Sequence, residues 1–309
     1  MMREMNGDEE IKAFNEKYVD TQENFNNVHA FLRKMVTLTG KLQTWEFVRF
    51  EFWNRYEAPK SADPNFMENN AHLWKNEAGE ITGLFISESG GGFFSLIVHP
   101  DYPHLADEMV AWTRNVWGKG KKKLNTDCYP YGQEVQALLD QGFVQDSHIG
   151  NTRRYDLVHM DYTLNLEEGF SIRCMTEGID EGTKSDLMEQ IFSSGDSNVG
   201  SIEYWRKDLK SYRADLDFTV MDENGRPIAF CFGFVDQDNG IAVIETIGTH
   251  PDYRQRGFGK SVISACFIRL KEQGVTTAYI TGFSAEANAL YQSLHPVEIT
   301  PMHSYVYED

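Results

Sequence analysis

The sequence lacks several features that would mark other classes of protein. Its 309 residues contain no apolar run that approaches a membrane span, which needs ~18 such residues. The first residues, MMREMNGDEEIKAF, are charged and lack the apolar core of a secretory signal. Cysteine is scarce, and Cys128, Cys174, Cys231 and Cys266 have no CxxC spacing. We therefore expect a cytoplasmic protein with buried free thiols, no metal site and no membrane partner.

Positive charge is also scarce. Lys and Arg number 29 against 47 Asp and Glu, which gives a formal net charge of −18 at pH 7. A surface of this sign repels nucleic acid and anionic lipid, so we expect neither as a partner. It attracts cationic small molecules or basic peptides weakly, although solubility alone also accounts for it.

Length and composition indicate two globular domains. Apolar residues make up 41% of the chain and aromatic residues 13%, enough for ordinary cores. A domain typically takes about 100–200 residues. The polar segment from His159 to Gly169 is the best boundary. We expect a polar N-terminal segment at residues 1–24, a first domain at 25–160 and a second domain at 167–309.

The same order of helices and strands occurs in both halves. The first half contains two helices before Tyr56, a hairpin at Ala71–Glu88, a strand at Phe93–Val98, a helix at Leu105–Trp117, and a closing pair of strands between Phe143 and Leu157. The second half contains helices at Gly182–Ser193 and Ile202–Tyr212, strands up to Thr249, a helix at Gly259–Gln273, a helix at Ala285–Leu294, and a final pair of strands between Val297 and Tyr307. The fold class is therefore mixed α/β.

A repeated tetrapeptide supports this duplication. His99-Pro100-Asp101-Tyr102 recurs as His250-Pro251-Asp252-Tyr253, each time after an apolar strand and before a helix. Four matching residues would be weak support alone. At the same point of two matching element orders, they indicate an internal repeat.

The stretch from Ile241 to Lys260 indicates a site for a phosphate-bearing ligand. An apolar strand up to Thr249 is followed by a turn, and two arginines and two glycines then open a helix. Free N–H groups at a helix N-terminus attract anions, and glycine lets an anion come close. A nucleotide-binding loop of the Walker A type is excluded because Arg254 stands where that loop requires its first glycine.

The motif Arg254-x-x-Gly257-x-Gly259 resembles the acyl-CoA-binding signature of the GNAT (Gcn5-related) N-acetyltransferases. The resemblance extends over the second half, up to Asn288-Ala289-Leu290-Tyr291, and the shared element order makes the whole chain similar to a tandem GNAT protein. It implies two domains, each a mixed, mostly antiparallel sheet flanked by helices. The fourth and fifth strands would run parallel and splay apart to admit the pantetheine arm of acetyl-CoA.

The resemblance also implies which residues hold acetyl-CoA. Backbone groups of Ile247, Gly248 and Thr249 would pair with pantetheine, and Asn288 would position the cofactor. A glycine within a strand independently suggests a bulge or a close backbone approach. The pyrophosphate would be held by backbone N–H groups of six consecutive residues, namely Gln255, Arg256, Gly257, Phe258, Gly259 and Lys260. Arg254 and Arg256 would add positive charge. Gln255 departs from the glycine that is frequent at its position.

Two residues are candidates for catalysis. Glu245 would remove a proton from the acceptor amine, since its strand parity with Ile247 and Thr249 places it on the side of the cofactor contacts. Tyr291 would protonate the departing CoA sulfur, a role that rests on the resemblance. The alternatives are a salt-bridged or solvent-facing glutamate and a tyrosine that only packs. The oxyanion would be held by a backbone N–H near Gly248.

The first copy lacks these residues. After its tetrapeptide, both arginines and both glycines are missing, and Asp107 and Glu108 lie at the helix N-terminus, where they repel phosphate. We expect this copy to be structural or to form one wall of the acceptor site. Acceptor specificity would come from Ile202–Tyr212 and from the last strands near His303 and Tyr305. The acceptor is expected to be an amine of a small molecule or peptide. A CoA-binding sensor or scaffold without turnover is the alternative.

Overall fold

The computed structural model describes residues 14–192 and 209–308. The mixed α/β architecture predicted from the sequence is confirmed, with two sheets flanked by helices. The strands are β1 (Phe14–Lys17), β2 (Ala71–Lys75), β3 (Ile81–Ile86), β4 (Ser95–Val98), β5 (Lys123–Cys128), β6 (Val144–Asp156), β7 (Ser171–Cys174), β8 (Tyr212–Met221), β9 (Pro227–Asp236), β10 (Ile241–Thr249), β11 (Thr277–Gly282) and β12 (Glu298–Glu308). The helices are α1 (Gln22–Thr39), α2 (Phe47–Phe52), α3 (Phe66–Asn70), α4 (Leu105–Trp112), α5 (Glu134–Asp140), α6 (Glu181–Phe192), α7 (Phe258–Glu272) and α8 (Ala285–Gln292).

The two sheets differ in the number of strands and in whether neighbouring strands run parallel or antiparallel. The smaller has four antiparallel strands in the order β1-β2-β3-β4, and the larger has eight in the order β5-β12-β6-β11-β10-β9-β8-β7. Within the larger sheet, β10 and β11 run parallel. A parallel bridge between Phe93 and Asn125 links the segment just before β4 to β5. Both halves therefore place their corresponding fourth and fifth strands in parallel.

The two halves exchange strands. β6 from the first half lies between β12 and β11, and β12 from the second half lies between β5 and β6. The closing pair of strands predicted for each half is therefore wrong, because each segment is one long strand. Gly150 does not turn the chain within β6. A Cβ at position 150 would come within 2.6 Å of the carbonyl oxygen of Gly282. Glycine at this position therefore lets β11 approach β6 closely.

Helices of the first half pack on the sheet of the second half. α1 is capped by Thr21, whose side chain accepts the N–H of Asn24, and it ends at Gly40 with φ 64°. Its buried residues recur at helical spacing, and together with those of α2 they join the core that contains Phe232 and Val243. The α1–α2 connection is thereby held over β10.

The repeated tetrapeptide has the same structure in both halves. Nδ1 of His99 accepts the N–H of Asp101 at 3.2 Å, and Nδ1 of His250 accepts the N–H of Asp252 at 3.2 Å. In each copy the tyrosine ring packs edge-on against the histidine, with ring centroids 5.5 and 5.7 Å apart. The internal repeat is thus a repeat of local geometry as well as of sequence.

Several predictions fall partly outside the described residues. The helix proposed at Ile202–Tyr212 lies mostly there, and Tyr212 itself begins β8. Of the polar segment at 1–24, the described part contains β1, which pairs with β2.

All four cysteines are buried and free, as predicted. Among the described helices, none is both long and apolar enough to cross a membrane.

Candidate active site

The parallel strands β10 and β11 separate soon after they meet. They pair from Ile241 to Val243 with Thr277 to Tyr279, whereas β10 continues to Thr249 along β9. The edge of β10 beyond Val243 has no strand partner on the β11 side in the described part of the chain. The splayed pair predicted from the resemblance is confirmed, and its gap is the natural entry for an extended ligand.

A bulge in β10 lies at Thr246, two residues before the glycine that suggested one. Thr246 has φ 59°, and the register with β9 shifts there: Glu245 lies opposite Phe232, while Ile247 lies opposite Cys231. Phe232 and Cys231 are neighbours in β9 and face opposite sides of the sheet. Paired residues face the same side, so Glu245 and Ile247 also face opposite sides. The expectation that Glu245 shares a face with Ile247 and Thr249 is therefore wrong.

Gly248 serves a close contact instead of a bulge. It pairs regularly with Phe230. A Cβ at Gly248 would lie 2.8 Å from the Phe230 ring and 3.0 Å from the side chain of Ile191. Glycine at this position lets α6 pack against the sheet beside the gap.

The N-terminus of α7 presents free backbone donors. Gly257 caps the helix with φ 86° and no side chain bonds its first turn. The helical hydrogen bonds begin with Ser261 N–H to the Gly257 carbonyl, which leaves the N–H groups of Phe258, Gly259 and Lys260 without intrahelical partners. Gln255 has φ 61°, which explains why glycine is frequent at this position in the resembling family.

The cations near this helix already have partners within the chain. Arg256 pairs with both carboxylate oxygens of Glu167, at 3.0 and 2.5 Å. Arg254 Nε donates to the Thr249 carbonyl oxygen at 3.2 Å, and Lys260 Nζ donates to the Ser293 carbonyl oxygen at 2.8 Å. A phosphate ligand would therefore compete with Glu167 for Arg256.

A cavity of about 580 Å³ lies where the two halves meet. Matched through their pairing with β3 and β9, Phe93 corresponds to Val243 and Ser95 to Glu245, and all four line the cavity. The two copies thus contribute corresponding strand segments to one cavity. Tyr291 lines it as well.

Three carboxylates line the cavity: Glu46 and Asp127 from the first half and Glu245 from the second. Among the described lining residues, Arg49 is the one cation, and its guanidinium pairs with Glu88 at 2.7 Å. The side chain of Glu46 caps α2 by accepting two backbone N–H groups. The wall therefore carries more negative charge than its own cation balances.

Burial raises the pKa of all three carboxyl groups. The pKa of Glu46 is raised to about 8, first by burial and then by the charge of Glu245. Two backbone hydrogen bonds to its carboxylate lower the pKa but do not offset these effects. Burial also raises the pKa of Asp127 and of Glu245, and the charge of Arg49 lowers each. Glu245 is nevertheless exposed and lines the cavity, so solvent there weakens the effect of burial on its pKa. The cavity thus favours protonated carboxyls or a bound cation.

Tyr291 is buried, with 7% of its surface exposed, and it lines the cavity. Its hydroxyl has no hydrogen-bond partner within residues 14–192 and 209–308. Burial raises its pKa to about 12, so the phenol holds its proton at neutral pH. Asn288 lies one turn earlier on α8, but its Oδ1 accepts from Nη1 of Arg153 at 2.7 Å.

Sequence reasoning missed Glu46 and Arg153. Glu46 precedes a short apolar helix, which is a capping signal, but nothing in the sequence places it near Glu245. Arg153 reaches α8 through the exchanged strand, which the sequence did not predict. His303 and Tyr305 are not among the described residues that line the cavity. His303 instead packs against His148, and Tyr305 lies in the first-half core.

The corresponding region of the first half has different chemistry. Asp107 and Glu108 lie in the first turn of α4, as predicted, and Glu108 accepts from the Trp74 indole at 2.8 Å. Ser95 stands at the position that corresponds to Glu245, because Ser95 pairs with Ile86 as Glu245 pairs with Phe232. Within the described residues, no group of three or more His, Cys, Asp or Glu is arranged to hold a metal ion.

Comparison with known proteins agrees with this geometry. Residues 185–295 match the family model "Acetyltransferase (GNAT) family". A comparison with curated protein sequences gives no significant match.

Solved structures share the fold over nearly the whole chain. A GCN5-related N-acetyltransferase from Sphaerobacter thermophilus is 16% identical with a TM-score of 0.61, and the match covers 96% of this chain and 95% of that one. A tandem GNAT protein from the clavulanic acid biosynthesis pathway is 12% identical with a TM-score of 0.64, covering 96% and 98%. A glucosamine N-acetyltransferase region of a fungal GH3 β-N-acetylglucosaminidase is 13% identical with a TM-score of 0.54, covering 95% and 38%. The chain therefore carries a GNAT acetyltransferase domain at residues 185–295, within an overall fold that it shares with a tandem GNAT protein.

Proposed function

We propose that the protein transfers an acetyl group from acetyl-CoA to an amine of a small molecule or peptide, in the second half of the chain. The observation that carries this proposal is the meeting of three features: the gap between β10 and β11, the free N-terminus of α7, and a cavity lined by Glu245 and Tyr291. An extended ligand bound at the N-terminus of α7 would reach the cavity through the gap between the two strands.

The residues fit a CoA thioester. The N–H groups at the start of α7 suit a pyrophosphate, and the unpaired edge of β10 at Ile247, Gly248 and Thr249 offers backbone groups to pantetheine. Arg254 adds positive charge, and Arg256 does so once Glu167 is displaced. The bound cosubstrate supplies an activated acyl group, and the chain supplies binding, orientation and proton transfer.

Glu245 is proposed as the base. An alkylammonium with a pKa of ~10.4 costs about 4–5 kcal/mol to deprotonate at pH 7, at 1.36 kcal/mol per pH unit. A carboxylate with a raised pKa is a stronger base than one with the ordinary pKa, so it lowers this cost. Tyr291 is proposed as the acid, because its phenol lines the cavity and holds a proton at neutral pH that a leaving thiolate can take.

A cationic amine suits the cavity. Glu46, Asp127 and Glu245 outnumber the single described cation, Arg49, and an ammonium group would supply the missing charge. The first copy then forms one wall of the acceptor site although it lacks the CoA-binding residues. Acceptors of the cavity's volume, about 580 Å³, include small amines and the end of a peptide.

An acetyl-CoA consumption assay over amines, aminoglycosides, amino acids and peptides tests the proposal. Glu245→Gln and Tyr291→Phe should each lower kcat by about 10²-fold or more, the usual contribution of acid–base groups. CoA binding, measured by calorimetry, should be unchanged in both. Wild-type kcat in the double variant would refute the two roles. Tight CoA binding with no turnover on any acceptor would favour a CoA-binding sensor instead.

A further inference from the structure

Arg153 is a buried cation, 4% exposed, that no carboxylate pairs with in the described part of the chain. Its Nη1 donates to Asn288 Oδ1 at 2.7 Å and to the Asn151 carbonyl oxygen at 3.3 Å. Its Nε is buried and has no hydrogen-bond partner among the described residues. A buried charge without a counter-charge is costly, so its retention calls for a function.

The exchanged strand connects Arg153 to the candidate acid. Arg153 lies on β6 opposite Ile280 of β11, and it faces α8. Two residues later on the same face, the Tyr155 hydroxyl donates to the Tyr291 carbonyl oxygen at 2.8 Å. A strand from the first half therefore holds α8 at both Asn288 and Tyr291.

The Tyr291 ring lies beside the group that Arg153 binds. A Cβ on Gly282 would be 3.0 Å from Asn288 Oδ1 and 3.0 Å from Tyr291 Cδ2, so both flank one glycine. Burial raises the pKa of Tyr291, and the charge of Arg153 acts in the opposite direction.

We propose that Arg153 is a positioning residue for acyl transfer: it fixes the Asn288 amide and supplies the positive charge that stabilises the Tyr291 phenolate. The inference rests on the proposed function. It assigns to the degenerate first copy a part in the chemistry of the second.

The proton balance shows where that charge acts. Glu245 takes one proton from the acceptor ammonium and later releases it to solvent. As the nitrogen–carbon bond forms and the carbon–sulfur bond breaks, the sulfur keeps the electron pair and Tyr291 gives it a proton. The phenolate then regains a proton from the acylated nitrogen, directly or through water. Arg153 stabilises the phenolate between these two transfers.

Two substitutions separate the charge of Arg153 from its hydrogen bond. Arg153→Gln keeps a donor for Asn288 and removes the charge, whereas Arg153→Lys keeps the charge. We expect Arg153→Gln to lower kcat on the order of tenfold, part of the general-acid contribution. The KM for acetyl-CoA should change less than twofold, and Arg153→Lys should recover most of the activity. Arg154→Gln is the matched control, since Arg154 pairs with Glu298 at 3.0 Å.

A double-mutant cycle decides whether Arg153 acts through Tyr291. In a Tyr291→Phe background, Arg153→Gln should have no further effect on kcat. An undiminished tenfold effect there, or an equal effect of Arg154→Gln, would overturn the proposal.

A second readout does not depend on turnover. With a fluorinated, more acidic tyrosine at position 291, Arg153→Gln should raise the phenol pKa, followed by ultraviolet absorbance, by about one unit, which is a tenfold change in the ionisation constant. An unchanged pKa would overturn the proposal even if no acceptor is found. A shifted pKa in a protein without turnover would support Arg153 while the proposed function fails.

Discussion

Glu46 and Glu245 come from opposite halves of the chain and line one cavity, close enough for the charge of Glu245 to raise the pKa of Glu46. Neither carboxylate has this environment without the other half of the molecule. The cavity is therefore a property of the tandem arrangement, and its electrostatics connect the stability of the protein with its proposed activity.

The raised pKa of Glu46 predicts that stability falls as pH rises. Its pKa is about 8 in the folded protein against an ordinary value of 4.5, so the folded state retains a proton that the unfolded state has lost between these values. The contribution is full below pH 4.5 and is lost as pH rises towards 8. Glu46→Gln should flatten the dependence of unfolding free energy on pH between 5 and 8 in urea titrations.

The slope tests this prediction better than the absolute stability does, because Glu46 also caps α2. Glu57→Gln is the control, since Glu57 pairs with Lys60 in solvent at 3.1 Å. A wild-type slope in Glu46→Gln would contradict the prediction.

Arg49 should set the acid limb of the pH–activity profile. Burial raises the pKa of Glu245, while the charge of Arg49 lowers it and that of Glu88 raises it. Arg49→Met removes the lowering charge, so the acid limb of kcat should move to higher pH. Steady-state kinetics between pH 5 and 9 measure this shift. Arg55→Met is the control, because Arg55 stacks on Phe25 instead. A shift to lower pH would exclude Glu245 as the titrating base.

The ion pair between Arg256 and Glu167 should weaken CoA binding. The Glu167 carboxylate accepts hydrogen bonds from the Arg256 guanidinium at the N-terminus of α7, where a phosphate is proposed to bind. Glu167→Gln should therefore tighten CoA binding by about twofold to fivefold, the range for exposed ion pairs. Calorimetry at low and physiological salt measures the effect, with Glu168→Gln as the neighbouring control. Weaker binding in Glu167→Gln would show that the pair orders the site instead.

Thr246 should be strained in its left-handed conformation. A β-branched residue at φ 59° is unusual, and left-handed backbone costs ~1–2 kcal/mol for non-glycine residues. Glycine itself loses about 0.5–1 kcal/mol of stability through entropy. Thr246→Gly should therefore raise the unfolding free energy by up to about 1.5 kcal/mol.

The same substitution should lower kcat, because a glycine fixes the bulge beside Glu245 less firmly. Thr249→Gly, in the regularly paired part of β10, should instead destabilise the protein. Urea titration and steady-state kinetics measure the two effects. A loss of stability in Thr246→Gly would show that the threonine side chain stabilises the bulge.

The sequence predicted most of the local elements, and the family resemblance implied the gap between β10 and β11, but neither predicted the strand exchange. Hydrophobic spacing and turn residues identify a strand, whereas nothing in the periodicity of β6 selects β11 and β12 as its neighbours. The bulge at Thr246 was missed for a related reason, since threonine favours regular strands and tertiary packing overrode that preference. Without the bulge, the faces of Glu245 and Ile247 could not be assigned correctly.

The first-half contribution to the site was predicted only in outline. A wall of the acceptor site was expected from the first copy, but Glu46 and Arg153 could not be named. Both reach the second half through tertiary contacts between segments that are far apart in the sequence.

The exchange of β6 and β12 also bears on why a degenerate copy persists. If the chain were shortened to its second half, β11 would lose the neighbour that covers one of its edges, and β12 would lose both of its partners. Open edges of this kind invite pairing between molecules and aggregation. A duplication whose last strands have traded places cannot be undone by deletion, so the first copy can lose its own ligand-binding residues and still be indispensable.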